Sequence, residues 1–267
     1  MDDQNTTGRR FAGQTVIVTG GSGALGGASA RAFAAEGASV AVGYRNGREA
    51  AQSLVEEIAA EGGTAHADRL DVTDTASTEA FVNSTADRYG RIDVLVNAAG
   101  RIDASDAVRF KDIDPDAWDA LFAVDVKGTY LMCRAVVPHM QKAGGGSIVN
   151  FSGSYGNGVN QDNLVNSVAV QYCAAKGAVR AFTASLARDL APTIRVNAVS
   201  PGAIEANWEA DWEIPKDHVE EALRMTPLKR MGRPAEIAET VLFLASAGGG
   251  YITGQIVQVD GGWVLTG

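Results

Sequence analysis

The chain has 267 residues, 46% of them hydrophobic and 21% charged, with 31 glycines, two cysteines and a formal net charge of −9. That length suits one domain able to bury roughly 70–75% of its unfolded surface, and this composition excludes global disorder and a disulfide scaffold. The acidic balance argues against a nucleic-acid binder, no apolar run is long enough to span a membrane, and the polar start MDDQNTTGRR carries no secretory signal, so a cytoplasmic protein is expected.

In chain order, residues 1–10 read as a flexible tail and 11–267 as a single domain. Thr15–Thr19 is a strand candidate, followed by a helical pattern over Ala24–Glu36 that Gly37 closes. Ser39–Val42 is the next strand, and Arg48–Glu61 a helix stopped by Gly62 and Gly63. Ala65–Leu70, the helix Thr75–Tyr89 and the strand Ile92–Val96 follow. Pro115–Met140 holds one long or two broken helices. Ser147–Phe151, Ile194–Val199 and Gln255–Val259 are further strands, with Ala169–Leu190 and Pro234–Ala245 as further helices. Strands and helices alternating at this spacing make βαβ units. The expected fold is therefore α/β: a doubly wound, parallel, Rossmann-like sheet with helices on both faces. Ligands bind at the carboxyl edge of such sheets. Two irregular stretches would lie there, an Asn/Gln-rich loop over Asn157–Asn166 and a substrate loop near 203–228.

The first strand runs into Thr19-Gly20-Gly21-Ser22-Gly23-Ala24-Leu25-Gly26 and then a helix. Glycines there let the backbone turn sharply and let a pyrophosphate approach helix-terminal N–H groups. Gly20, Ser22, Gly23, Ala24 and Leu25 are the expected dinucleotide contacts. The second strand ends in Tyr44-Arg45-Asn46, where an NAD site would place a carboxylate for the ribose hydroxyl. An arginine there pairs with a 2′-phosphate instead, which favours NADP(H) over NAD(H). Tyr172 and Lys176 are four apart on a helix and share a face. A phenol is a poor acid or base at neutral pH, and a nearby ammonium brings it towards working range. His66, His139 and His218 are scattered without metal-ligand spacing, so no metal is expected.

Together these motifs resemble the short-chain dehydrogenase/reductase family, in its 3-oxoacyl-ACP-reductase-like branch. The resemblance spans about residues 11–263. It rests on the glycine turn, Asp71-Val72, Asn97-Ala98-Ala99-Gly100, Tyr172-x-x-x-Lys176, Arg195-Val196-Asn197, Pro201-Gly202, Ile252-Thr253-Gly254-Gln255 and Val259-Asp260-Gly261-Gly262. It implies that Asp71 and Val72 border the adenine and that Asn97, Ala98, Ala99 and Gly100 support the central strand and the cofactor. It implies that Tyr172 exchanges the proton, that Lys176 binds the nicotinamide ribose and lowers the Tyr172 pKa, and that Pro201, Gly202 and Ile204 flank the nicotinamide. It also implies a homodimer or homotetramer acting on a small-molecule carbonyl or alcohol.

Four positions depart from the family pattern. Ala24 replaces the middle glycine of the turn, and Ala206 replaces a threonine that contacts cofactor. Asp125 stands where the family's asparagine holds a water near the lysine; a carboxylate there holds the same water and adds a charge. Gly153, in Ser152-Gly153-Ser154-Tyr155-Gly156, stands where the family's substrate-binding serine belongs. Ser152 would sit beside the cofactor. Ser154 is the expected donor to the substrate oxygen, with Ser152 and Tyr155 as alternatives. A catalytically degraded relative, acting as a cofactor-binding scaffold or regulatory subunit, is the rival reading, with a non-redox reaction in the same pocket as a third. Trp208 and Trp212, four apart, would pack on the core or line the substrate pocket. Glu205, Glu209, Asp211 and Glu213 would form a solvated face.

Overall fold

The computed structural model describes residues 9–101, 110–157, 170–205, 220, 223–224 and 226–264. Most of the expected substrate loop, with Ala206, Trp208, Trp212, Glu209, Asp211 and Glu213, lies outside the described residues, as does most of the Asn/Gln-rich loop. The strands are β1 (Thr15–Thr19), β2 (Ser39–Tyr44), β3 (Thr64–Arg69), β4 (Val94–Asn97), β5 (Gly146–Phe151), β6 (Ile194–Pro201) and β7 (Ile256–Val259). They form one sheet of seven strands in the order β3-β2-β1-β4-β5-β6-β7. Every pairing is parallel.

The helices are α1 (Ala24–Ala35), α2 (Arg48–Ala60), α3 (Thr75–Tyr89), α4 (Pro115–Phe122), α5 (Thr129–Lys142), α6 (Val170–Leu190) and α7 (Pro234–Ala245). Their ends follow local chemistry. Asp74 caps α3 by accepting from the Ala76 N–H, and Gly90, at φ 81°, ends it in the left-handed conformation that glycine adopts without strain. The pattern expected over Pro115–Met140 is two helices joined by a π-turn, Ala123–Gly128. That turn carries Asp125.

Side chains alternate along each strand, so the sheet feeds two apolar layers. Val16, Val18, Val40, Val42, Val94 and Val96 face one side and pack with Phe33, Leu54, Ile58, Val241 and Leu242 of α1, α2 and α7. Ile17, Ala41, Leu95, Ile148 and Val196 face the other and pack with Phe81, Met132, Val136 and Met140 of α3 and α5. Cover on both faces is why these strands read as nearly continuous apolar runs. No helix of the described residues is long and apolar enough to cross a membrane.

The edge near β7 depends on one side chain. The Arg195 guanidinium donates to the carbonyls of Leu244, Ala245, Ser246, Gly249 and Ile252, at 2.6–3.3 Å. It thereby satisfies the carboxyl end of α7 and the turn beyond. Asn197 donates to Ile252 O and accepts from the Gln255 N–H. The motif residues Arg195 and Asn197 are thus framework, holding β7 against β6. Replacing Arg195 with alanine leaves several inward carbonyls unpaired. It should cost about 2–4 kcal/mol, read as a lowered urea midpoint with unchanged slope; Arg195→Lys should recover only part, because an ammonium lacks the fork.

Candidate active site

Where β1 and β4 lie side by side, the strand order reverses and a crevice opens at their carboxyl ends. Gly20 has φ 64°, and a Cβ there would lie 2.8 Å from Ala99 Cα. A Cβ on Gly26 would lie against Gly20 O, and one on Gly21 against the Val42 side chain. The turn therefore packs on backbone at positions 20 and 26. Thr19 Oγ1 accepts from the Ala99 N–H at 3.0 Å, tying the ends of β1 and β4. The start of α1 has no side-chain cap and no acidic residue in its first turn. Gly23 and Ala24 are exposed, so the first helical N–H groups face outward for a phosphate. This cradle fits a dinucleotide, and the alanine at 24 leaves it open.

Arg45 and Asn46 follow β2 and are exposed, with Tyr44 half-buried. Tyr44 pairs in register with Arg69 of β3, so a second arginine stands beside Arg45. The sequence signal for it was the strand pairing alone. Hydrogen bonds from Thr73 hold the Asp71 carboxyl below the usual carboxylate range, with Arg45 and Arg69 adding to the effect. Val72 is buried against Gly128 of the π-turn. Asn97 faces inward: its amide donates to Asn150 Oδ1 at 2.9 Å and to Cys133 Sγ at 3.4 Å. Asn150 in turn donates to Thr183 Oγ1. The Asn97 side chain braces β4 against β5 and α6, and Ala98, Ala99 and Gly100 carry the chain out to the crevice.

Tyr172 and Lys176 project from the first turns of α6. The Lys176 Nζ lies 5.5 Å from the centre of the Tyr172 ring, 2.8 Å from Asp125 Oδ2 and 3.3 Å from Phe151 O. Lysine and aspartate are both buried. Burial alone would lower the Lys176 ammonium, but the Asp125 carboxylate and the Tyr172 phenol outweigh it and raise its pKa above the ordinary value. The other carboxylate oxygen of Asp125 accepts from the Arg101 N–H at 2.8 Å. Direct contact between Asp125 and Lys176 was not expected from the sequence, where the carboxylate was to reach the lysine through a water.

In the turn after β5, Ser154, the expected donor to the substrate oxygen, is buried: its hydroxyl donates to Pro201 O at 3.0 Å and lies 3.4 Å from Asp260 Oδ2. The physical reason is that residues 154–157 coil into a 3₁₀ turn, which points the side chain at the loop after β6. The Ser152 hydroxyl is likewise committed, to Lys176 O at 3.3 Å and Gly153 O at 3.4 Å. Gly153 holds the place facing the phenol; with φ 140°, a Cβ there would lie 3.5 Å from the Tyr172 hydroxyl. Tyr155 packs edge-on against Tyr172, with ring centres 5.9 Å apart, and against Trp263 at 5.5 Å. Burial, with Tyr172 and Cys173 adding to it, pushes the Tyr155 phenol up to about 12. Asp260 is a hub whose role the motif did not reveal. Its carboxylate also accepts from the N–H groups of Gly262 and Val264, and a Cβ on Gly202 would strike it. Pro201 and Gly202 are partly exposed at this edge, and Ile204 bridges to Gly232. Among the described residues no group of three His, Cys, Asp or Glu side chains gathers as metal ligands.

Comparison with known proteins agrees with this arrangement. The family model described as enoyl-(acyl carrier protein) reductase matches residues 20–264. The 3-oxoacyl-[acyl-carrier-protein] reductase FabG of Thermotoga maritima is 40% identical over 260 residues, covering 96% of this chain and 100% of that protein. The 2,5-dichloro-2,5-cyclohexadiene-1,4-diol dehydrogenase LinX of Sphingobium indicum is 36% identical, covering 95% and 97%. A solved short-chain dehydrogenase/reductase of Serratia marcescens superposes with a TM-score of 0.86 at 28% identity, covering 95% of this chain and 99% of that one. The chain belongs to the short-chain dehydrogenase/reductase family.

As a short-chain dehydrogenase/reductase of the FabG-like branch, it is an NAD(P)-dependent enzyme that interconverts carbonyl and alcohol groups. A degraded scaffold would share this membership; the relatives named as a reductase and a dehydrogenase are what favour the enzyme. The glycine turn is the part of the site most sensitive to a single added carbon. Gly20→Ala forces an alanine into φ 64° against Ala99. It should cost about 2–3 kcal/mol in stability and weaken binding of nicotinamide dinucleotide at least about tenfold by calorimetry.

Proposed function

We propose that this enzyme is an NADP(H)-preferring reductase of a small carbonyl substrate in which Tyr172 exchanges the proton. The observation that carries the proton role is the juxtaposition of Tyr172 and Lys176 beside the open Gly153 position, at the carboxyl edge of the sheet. The glycine cradle and the first turn of α1 would hold the pyrophosphate. Asp71 and Val72 would border the adenine, and Pro201, Gly202 and Ile204 the nicotinamide. When bound, the nicotinamide supplies or accepts a hydride.

The chain's own residues do the rest. In the reductive direction the Tyr172 hydroxyl donates its proton to the oxygen of the former carbonyl; in the oxidative direction the phenolate takes it back. The Lys176 ammonium beneath the ring leaves one N–H for a ribose hydroxyl, the others being held by Asp125 and Phe151 O. Ser152 and Ser154 have committed hydroxyls, so in the turn Ser152–Tyr155 the remaining hydroxyl for the substrate oxygen is that of Tyr155, whose high pKa keeps it a donor. Ser154 acts at one remove, fastening Pro201 to the turn.

Cofactor choice rests on Arg45 with Arg69, exposed at adjacent strand ends where no carboxylate follows β2. A pair of guanidinium groups attracts a 2′-phosphate, and a carboxylate would repel it.

Two measurements test these assignments. Tyr172→Phe removes only the hydroxyl and should lower turnover about 10²–10⁴-fold against a carbonyl panel with NADPH, with an unchanged circular dichroism spectrum; retention of a third of wild-type turnover would remove Tyr172 from the proton role. Arg45→Asp should raise the KM for NADPH and lower that for NADH, reversing a preference of the wild type for NADPH. A wild type that already prefers NADH would sink the phosphate assignment.

A further inference from the structure

We propose that Asp125 is a positioning residue which, through Lys176, keeps the Tyr172 phenol protonated across neutral pH and so biases the site towards proton donation. The inference rests on the proton role assigned to Tyr172.

The geometry leaves the carboxylate no other task among the described residues. The π-turn Ala123–Gly128 carries Asp125 to a position 1% exposed. One oxygen is spent on the Arg101 N–H, and the other meets Lys176 Nζ at 2.8 Å. The lysine is itself 5% exposed, and its further protein contact is the Phe151 carbonyl. Gly100 flanks the pair: a Cβ there would lie 3.5 Å from Nζ and 3.6 Å from Oδ2. The ammonium that faces the Tyr172 ring is therefore half of a direct, buried ion pair.

The electrostatic consequence follows. A lone ammonium beside a phenol favours the phenolate strongly, and more so where water is excluded. A carboxylate in contact with that ammonium cancels most of its field beyond the pair. With a neutral amide at 125 the pair with Lys176 would carry one net positive charge; with aspartate it carries none. The Arg180 guanidinium of α6, packed against Gly156, is a further cation nearby and is the same in both cases. Other ionisable groups near Tyr172 among the described residues do not add positive charge. Tyr155, from the turn after β5, stays a neutral phenol. Cys173, the neighbour on α6, has its thiol pushed up by burial. Asp260, which reaches the turn through Ser154, is a further anion. Tyr155, Cys173 and Asp260 each oppose, or fail to help, loss of the Tyr172 proton. The same carboxylate raises the pKa of Lys176 against the effect of burial, so the lysine remains a positioned donor while its influence on the phenol is muted.

The sign can be read directly. Removing the anion should lower the pH at which Tyr172 ionises, so that the proton-donating limb ends, and the proton-accepting limb begins, at lower pH. The test is titration of tyrosinate absorbance in the near ultraviolet on the cofactor-free protein. Subtracting the curve of the Tyr172→Phe variant isolates one group. Asp125→Asn should lower the Tyr172 midpoint by about one pH unit or more, whereas Asp125→Glu, which retains the charge, should leave it within about half a unit. An unchanged or raised midpoint in Asp125→Asn overturns the proposal. Should that variant fail to fold, the wild type decides: a Tyr172 midpoint below about pH 8 means that the ammonium acts uncancelled, since the unperturbed phenol titrates near pH 10. Because the titration requires no turnover, a negative result here leaves the redox reading standing, and an inactive Tyr172→Phe variant does not by itself support the role of Asp125.

Discussion

The contact between the Gly20 backbone and Ala99 is the constraint on which the rest of the site depends. It lets β1 and β4 end at the same level, with Thr19 Oγ1 receiving the Ala99 N–H. From that point the chain leaves β1 towards α1 and leaves β4 towards the π-turn. The glycine turn stands on one side of the crevice between these departures and Tyr172 and Lys176 on the other, with Asp125 buried behind the lysine. A larger residue at 20 would push the two strand ends apart and displace both walls together.

Rigidity reaches the reacting end by a chain of buried polar contacts. Asn97, Asn150 and Thr183 join β4, β5 and α6 in sequence, and the Ser152 hydroxyl returns to the Lys176 carbonyl. These bonds set where α6 lies on the sheet and hence where Tyr172 stands. On the opposite flank, Asp260 gathers Ser154, Gly262 and Val264, while Arg195 fastens the end of α7. The carboxyl edge is thus held from both sides by charged or amide groups whose bonds are made inside the protein. Buried polar groups of this kind fix a geometry only when they are paired, since each lost partner exposes the full cost of desolvation.

The reacting end departs from the family pattern set out in the sequence analysis at two places that lie close together. Gly153 removes a hydroxyl from the position facing the phenol, and Asp125 adds a charge on the far side of the lysine. The first opens space beside Tyr172, bordered by Tyr155 with Trp263 behind it. The second changes the field in which the phenol titrates. Both sit on turns rather than strands, the π-turn before α5 and the coil after β5, so neither interrupts the strand ladder.

Much of this protein was determined by sequence alone. Alternating apolar runs and helical patterns pointed to a parallel sheet with helices on both faces, because strands that are apolar on both faces need cover on both. The glycine turn between β1 and α1 was legible from its spacing, and the spacing of Tyr172 and Lys176 placed them on one face of α6. What the linear pattern does not contain is the direction of side chains on irregular backbone. Ser154 reads as a free hydroxyl next to the site, and only the 3₁₀ turn commits it to Pro201. Arg69 and Asp260 became neighbours of Arg45 and Ser154 through strand register and loop closure over long separations. Asp125 meets Lys176 because a π-turn and a helix that are distant in sequence pack against the same strand end. Local propensity and periodicity determine which elements form, whereas contacts made across the sheet decide which hydroxyls and charges remain available for chemistry.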